Sequence, residues 1–310
     1  MSSAPDVSLP GNCEDCSGSS LELEIDEPSL PDDAEDMPGS ETEMPPDALD
    51  DADWCDVDAH LLAEFEQSVP RASTPGHLDT VPSGRHDVAE LYSPPRLVPA
   101  CVAKGLTGSL SMDILTGWNF DFSEHTRRSL DLLQRMAVLF VMVSPPCTMF
   151  SVLQALWNFK RMDPGTVEMR LSQARNYISH AMECCLQQYT GGRFFCFEHP
   201  YNSTAWTLPC VRDLWGRPNV HAIIFDQCMC GLVSKVDKVP MRKRTRLLTN
   251  SRHVLQAFSN CRCNGSHAHR IIEGEEGGMK RAAWAQIYPP NMVERLATAV
   301  DSMSRGVSTS

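Results

Sequence analysis

The residues best suited to chemistry are one thiol, one carboxylate and a basic run, separated by about a hundred residues of chain. Cys147 stands in Ser144-Pro145-Pro146-Cys147-Thr148-Met149-Phe150-Ser151, directly after the apolar run 137–144. Thiolate is a strong nucleophile, and a stiff Pro-Pro turn after a strand would hold it at the sheet edge where α/β proteins take their ligands. Cys147 is also predicted to begin a helix over 148–159, whose start would favour the thiolate; the alternative is a buried packing cysteine. Glu198 stands near the end of the run RFFCFEHP (193–200); the plain alternative to a functional role is a strand-end carboxylate paired with a nearby base. Arg244 and Arg246 lie in VPMRKRTRLLTN (239–250), whose plain alternative to a functional role is a solvated basic turn.

A second group of chemically capable residues is Cys261-x-Cys263-x3-His267-x-His269, preceded by Cys228-x-Cys230. Cysteine and histidine at this density can bind zinc tetrahedrally, with Cys228, Cys261, Cys263, His267 and His269 as the candidate ligands, although the one-residue spacing differs from standard fingers. The pair Cys13-x-x-Cys16 has no second pair nearby. The opening MSSAPDVSLP has neither a basic nor an apolar leader pattern, and the longest apolar run, 136–143, is far short of the ~20 residues that cross a bilayer. A nuclear or cytoplasmic location is therefore expected, neither secreted nor in a membrane. There the 13 cysteines stay reduced, which argues against a disulfide framework.

Positioning these groups requires a sheet. Short strands are predicted at 88–93, 109–114, 137–144, 193–200, 221–227 and 246–250. Helical turns are predicted within 95–106, and helices at 123–135, around 166–189 and at 291–302. The run AVLFVMVS (137–144) is continuously apolar, as in a parallel strand buried on both faces. Strand and helix alternate, which makes the domain α/β, covering 86–302 with a short disordered end at 303–310.

Charge divides the chain. The first 70 residues hold 21 of the 40 acids and no Lys or Arg, whereas the remainder has 27 basic residues against 19 acidic ones. Residues 1–85 are predicted to be a disordered acidic tail, with 56–67 able to fold against a protein partner or mask the basic body. The basic body suits a polyanion such as DNA or another nucleic acid.

The ordered set of motifs resembles the cytosine-5 DNA methyltransferases. Pro146-Cys147-Thr148-Met149-Phe150-Ser151 is similar to their Pro-Cys-Gln-x-Phe-Ser loop, and Glu198 to the Glu of Glu-Asn-Val. Arg244 and Arg246 match Pro-Gln-x-Arg-x-Arg, and AQIYPPNMVERLA (285–297) is similar to the closing motif. The resemblance implies an abbreviated Rossmann-like S-adenosylmethionine-dependent methyltransferase sheet with helices on both faces. It implies that Cys147 attacks a flipped-out cytosine at carbon six, that Glu198 pairs with ring nitrogen three, and that Arg244 and Arg246 orient and neutralise it. Cofactor contacts would fall to Tyr92, Ser93, Asp113, Ile114 and Pro145, with Pro94 and Pro95 standing where the family has glycines. One strand fewer than the full fold is expected before Cys147, and 251–284 would be a small Cys/His-rich insertion in place of a DNA-reading domain. The alternative is a catalytically degenerate version that binds nucleic acid, or a zinc-containing assembly protein. The Ser-Pro-Pro turn also fits adenine amino-methyltransferases until Cys147. The same combination of motifs resembles coding regions of retrotransposon polyproteins.

Overall fold

The computed structural model describes residues 86–152 and 158–308. The acidic segment, with Cys13, Cys16 and the amphipathic stretch 56–67, lies outside the described residues, as do residues 153–157 of the helix expected over 148–159. Six strands form one sheet: β1 (Val88–Leu91), β2 (Gly108–Met112), β3 (Phe140–Val143), β4 (Phe194–Pro200), β5 (His221–Asp226) and β6 (Arg244–Thr249). Their order is β2-β1-β3-β4-β6-β5. The first four run parallel, with Val88 beside Phe140 and Val143 beside Phe197. β6 is inserted antiparallel between β4 and β5, pairing His199 with Arg246 and Asp226 with Arg244. β6 runs antiparallel because the chain returns from β5 through a local connection rather than a helical crossover.

Alternation along the strands sorts side chains to two cores. On one face Ala89, Leu91, Val141, Val143, Phe195, Phe197 and Leu248 pack against α2 (Ser123–Met136) and α3 (Pro164–Thr190). Helix α2 buries Ser129, Leu132, Leu133 and Met136, one stripe at helical spacing. Helix α3 starts where Pro164 follows the capping carboxylate of Asp163, which accepts from the Thr166 N–H at 2.8 Å. Helix α4 (Pro209–Trp215) adds Val211 and Leu214. On the other face Val88, Phe140, Met142, Cys196 and Leu247 meet α1 (Leu97–Ala103), α5 (Arg252–Phe258) and a last helix. That last helix, α7 (Pro290–Ser308), is preceded by the short α6 (Arg281–Trp284) and a two-strand ribbon, β7 (Glu275–Glu276) and β8 (Met279–Lys280). Helix α7 runs through 303–308, where a disordered end was expected, because Val300 and Met303 continue its apolar stripe into the core.

Helix α5 likewise belongs to the main core through Val254 and Phe258, so the small Cys/His-rich region begins after it. Its apolar centre is Leu232, Met241 and Ala285 with Ile272 and Trp284. No helix of the described residues is long and apolar enough to cross a membrane.

Candidate active site at the carboxyl rim of the sheet

The chain winds from β1 to β2 on one side and then to β3 on the other, so the carboxyl ends of β1 and β3 flank a topological switch point. Open α/β sheets bind ligands in the crevice this creates. Because β6 is antiparallel, its amino end joins the same rim, and Lys243 arrives there just before Arg244. Cys147, Glu198 and the Cys/His loop all belong to this edge.

Glu198 is 6% exposed and lies on the face of the sheet occupied by Cys196 and Leu247. Its Oε2 accepts from the Tyr288 hydroxyl at 2.9 Å, and that hydroxyl also lies 2.5 Å from Ser144 Oγ. Its Oε1 is buried with no hydrogen-bond partner. Burial raises the hydroxyl pKa of Tyr288 well above the tyrosine range, with the Glu198 charge adding to it, so Tyr288 stays a donor. Across the crevice the Arg96 guanidinium lies 5.6 Å from the Tyr288 ring centroid, donates to the Gln286 carbonyl at 3.3 Å and leaves its buried Nε unpartnered.

Cys147 is half-buried at the end of the Pro-Pro turn, where it caps the short 3-10 turn Thr148–Phe150. That turn is too short to supply the helix-start field expected from the sequence. Burial raises the pKa of the Cys147 thiol, the Lys243 ammonium opposes that, and the Glu198 carboxylate pushes it further up. Thiol, carboxylate and ammonium are thus near enough to feel one another, and the cation among them is Lys243. Beneath the turn His199 is fully buried, stacked on Phe197 at 5.6 Å and edge-on to Phe150 and Trp206. Burial, reinforced by Lys243, lowers its pKa to about 3, so it stays neutral.

The two arginines do not join this group. Arg246 shares the face of its partner His199, opposite Glu198, and its guanidinium is enclosed by Tyr201, Trp206 and Trp215 at 4.8 to 5.1 Å. Arg244 is bound to the buried Asp226 at 3.2 Å. Strand alternation explains the correction: residues 244 and 246 must point together, and cross-strand pairing sends both away from Glu198.

Of the expected cofactor contacts, Tyr92 turns its ring into the core, bonding His180 Nδ1 at 2.7 Å and packing on Phe120. Ser93 is buried and bonds its neighbour's carbonyl, and Pro145 is buried. The Asp113 carboxylate caps its own turn, accepting from Leu115 N–H at 3.0 Å. Ile114, at the carboxyl end of β2, is 62% exposed. The N–H groups of Arg96, Leu97 and Val98 are all taken by Glu90, at 3.0 to 3.1 Å, so no bare backbone cradle opens there. Lys243, Tyr288, Ser144 and Arg96 were not singled out from sequence. Tyr288 lies within the closing motif 285–297, and Lys243 one residue before the expected arginine pair.

Of the five candidate metal ligands, Cys228, Cys263, His267 and His269 bring their donor atoms within 4.8 Å of one another, a group that can hold a metal ion. Cys261 is set apart, buried in the main core with its sulfur toward the Ala257 carbonyl. No family model matches this chain, and no curated protein matches it. Among solved structures it is similar to the Entamoeba histolytica methyltransferase EhMeth, with a TM-score of 0.32 and 9% identity over 63% of this chain and 58% of that one.

Proposed function

We propose that this chain is a divergent nucleic-acid cytosine-5 methyltransferase whose nucleophile is Cys147, with origins in retrotransposon coding sequence. The observation that carries the reading is the buried Glu198: one oxygen is fixed by Tyr288 and the other, Oε1, has no partner in the protein. An orphaned buried acceptor costs about 1–3 kcal/mol or more, and a pyrimidine edge entering the crevice would relieve that cost. The cysteine, glutamate and closing motifs supply the family's order, and DNA or another nucleic acid is the partner this chemistry requires.

The chain's own groups account for the protons. Glu198 takes the Cys147 thiol proton and passes it to ring nitrogen three as the sulfur bonds to carbon six, and Lys243 offsets the negative charge on sulfur beforehand. Tyr288 keeps Glu198 oriented throughout. S-adenosylmethionine, when bound, supplies the electrophilic methyl group for carbon five. The residues present fit it through the orphaned Arg96 Nε, which suits a carboxylate, and the exposed Ile114, which suits an aromatic base. Solvent water then takes the carbon-five proton, the freed electron pair re-forms the ring double bond and expels the Cys147 sulfur, and nitrogen three returns its proton through Glu198 to that sulfur.

The test is a covalent trap. Purified protein incubated with DNA containing 5-fluorocytosine and labelled cofactor is expected to give a denaturant-resistant adduct that Cys147→Ser abolishes; absence of a Cys147-dependent adduct overturns the reading. Pro94, Pro95 and the fully engaged start of α1 favour a second reading, a fold that binds nucleic acid without methyl transfer. Calorimetry separates the two. Micromolar S-adenosylmethionine binding, weakened tenfold or more by Arg96→Ala, supports transfer, and no binding supports the second reading.

A further inference from the structure

Beyond the thiol site, the same rim carries four soft donors from two unlike segments. Cys228 lies in the 3-10 turn 227–230 that ends β5, while Cys263, His267 and His269 come from a stretch with no regular secondary structure. Cys263 Sγ is 3.7 Å from His267 Nε2 and 3.5 Å from His269 Nε2. A tetrahedral zinc with bonds of about 2.3 Å to sulfur and about 2.0–2.1 Å to nitrogen sets sulfur-to-nitrogen edges of about 3.5–3.6 Å. The two Cys263 separations match those edges, and with Cys228 all four donor atoms lie within 4.8 Å of one another, the donor set of a Cys2His2 centre.

The surroundings are built as for a structural zinc. The Gly265 N–H points at Cys263 Sγ from 3.4 Å, and Gly265 reaches that position with φ +79°, a conformation its lack of Cβ permits. The Cys263 N–H is itself held by the buried Asp226 carboxylate at 2.9 Å, which fixes the ligand's backbone from the core side. Such outer contacts orient metal ligands and are expected of a built site. The region's own apolar centre is small, with three buried residues, Leu232, Met241 and Ala285. A core that small does not offset the ordering of the surrounding loops, and a metal clip does so in small domains.

We propose that Cys228, Cys263, His267 and His269 bind one zinc ion, a structural clip that ties 261–269 to the end of β5. Two thiolates neutralise the ion, so the centre adds no net charge beside Arg242, Arg244 and Arg262, which already surround Asp226. The proposal stands apart from methyl transfer and holds for an active or an inactive enzyme.

The experiment uses the full chain, purified without added metal or chelator and analysed by elemental mass spectrometry. About one zinc per chain is expected, retained by Cys261→Ser and lost from Cys263→Ser and His267→Ala. Cobalt(II) replacement in the unmutated chain is expected to show the intense visible bands of a tetrahedral sulfur-nitrogen site, a readout that does not depend on any variant folding. Less than about one zinc per five chains together with no tetrahedral cobalt spectrum overturns the proposal. So does full zinc retention by both Cys263→Ser and His267→Ala, or loss from Cys261→Ser equal to that from Cys263→Ser.

Discussion

The Cys147 thiol sits between opposing charges, so neighbouring substitutions are expected to move its reactivity in opposite directions. Glu198 raises its pKa and Lys243 lowers it. Glu198→Gln is therefore expected to speed alkylation of Cys147 by iodoacetamide at pH 8 while abolishing the 5-fluorocytosine adduct, and Lys243→Ala to slow alkylation; labelling rates read by mass spectrometry check both. Removing the Tyr288 hydroxyl with Tyr288→Phe deprives Glu198 of its fixed donor, a loss of about 1.5–3 kcal/mol, and adduct formation is expected to slow roughly 10–100-fold. The buried histidines make a separate prediction. Burial lowers the pKa of His199 to about 3 and of His180 to about 4, both from 6.5. As pH falls below 6.5 the unfolded chain takes up protons that the folded chain refuses. Stability is then expected to drop by at most about 1.4 kcal/mol per pH unit for each histidine. His199→Phe, set among Phe150, Phe197 and Trp206, is expected to make the fall of urea stability between pH 6 and 4 shallower. The positions of Cys147 and Glu198 at the sheet edge were legible because each follows or ends an apolar run. Arg246 was misread because the sequence shows a basic pair but not which strand it lies against.

At the scale of elements, apolar runs placed every strand of the main sheet within three residues, and the stripe in 123–135 gave α2 almost to its ends. Strand direction was not legible in the same way. β5 and β6 are equally apolar on either reading, and it is the short connection 227–243, bridged at Val233 and Pro240, that makes their pairing antiparallel. That reversal brings Lys243 to the rim and turns Arg246 away from it. Helix α2 also ends on a residue that its sequence does not favour: exposed Ala137 follows Met136 with φ 46°, in the left-handed region, and donates to the Gln134 carbonyl. Glycine occupies this position without strain, so Ala137→Gly is expected to stabilise the protein by about 0.5–1 kcal/mol. The check is an increase in the urea midpoint with an unchanged denaturant slope.

For the whole molecule the governing quantity is the division of charge. Residues 1–85 carry 22 acids and two arginines, and residues 86–310 carry 25 basic against 18 acidic residues, a body of +7 attached to a segment of −20. Within the body, Arg242, Arg244, Arg262 and Lys243 cluster at the rim that also presents Cys147, where a phosphate backbone would have to lie for a base to reach the thiol. Asp226 neutralises part of that cluster but carries one charge against three guanidiniums. On the proposed reading, an acidic segment on the same chain would compete with nucleic acid for this rim at an effective concentration that no separate polyanion matches. Such competition would be electrostatic and would weaken as the Debye length shrinks from about 10 Å at 0.1 M salt to about 3 Å at 1 M. Removing residues 1–85 is therefore expected to tighten DNA binding by about tenfold or more at 50 mM salt and to steepen the fall of affinity with salt, the two proteins converging near 0.5 M. Fluorescence anisotropy of a labelled duplex across a salt series measures both quantities. Equal affinities at 50 mM would mean that the acidic segment does not contend for the rim and acts elsewhere, whereas a gain that persists at 0.5 M would point to an obstruction by shape rather than by charge.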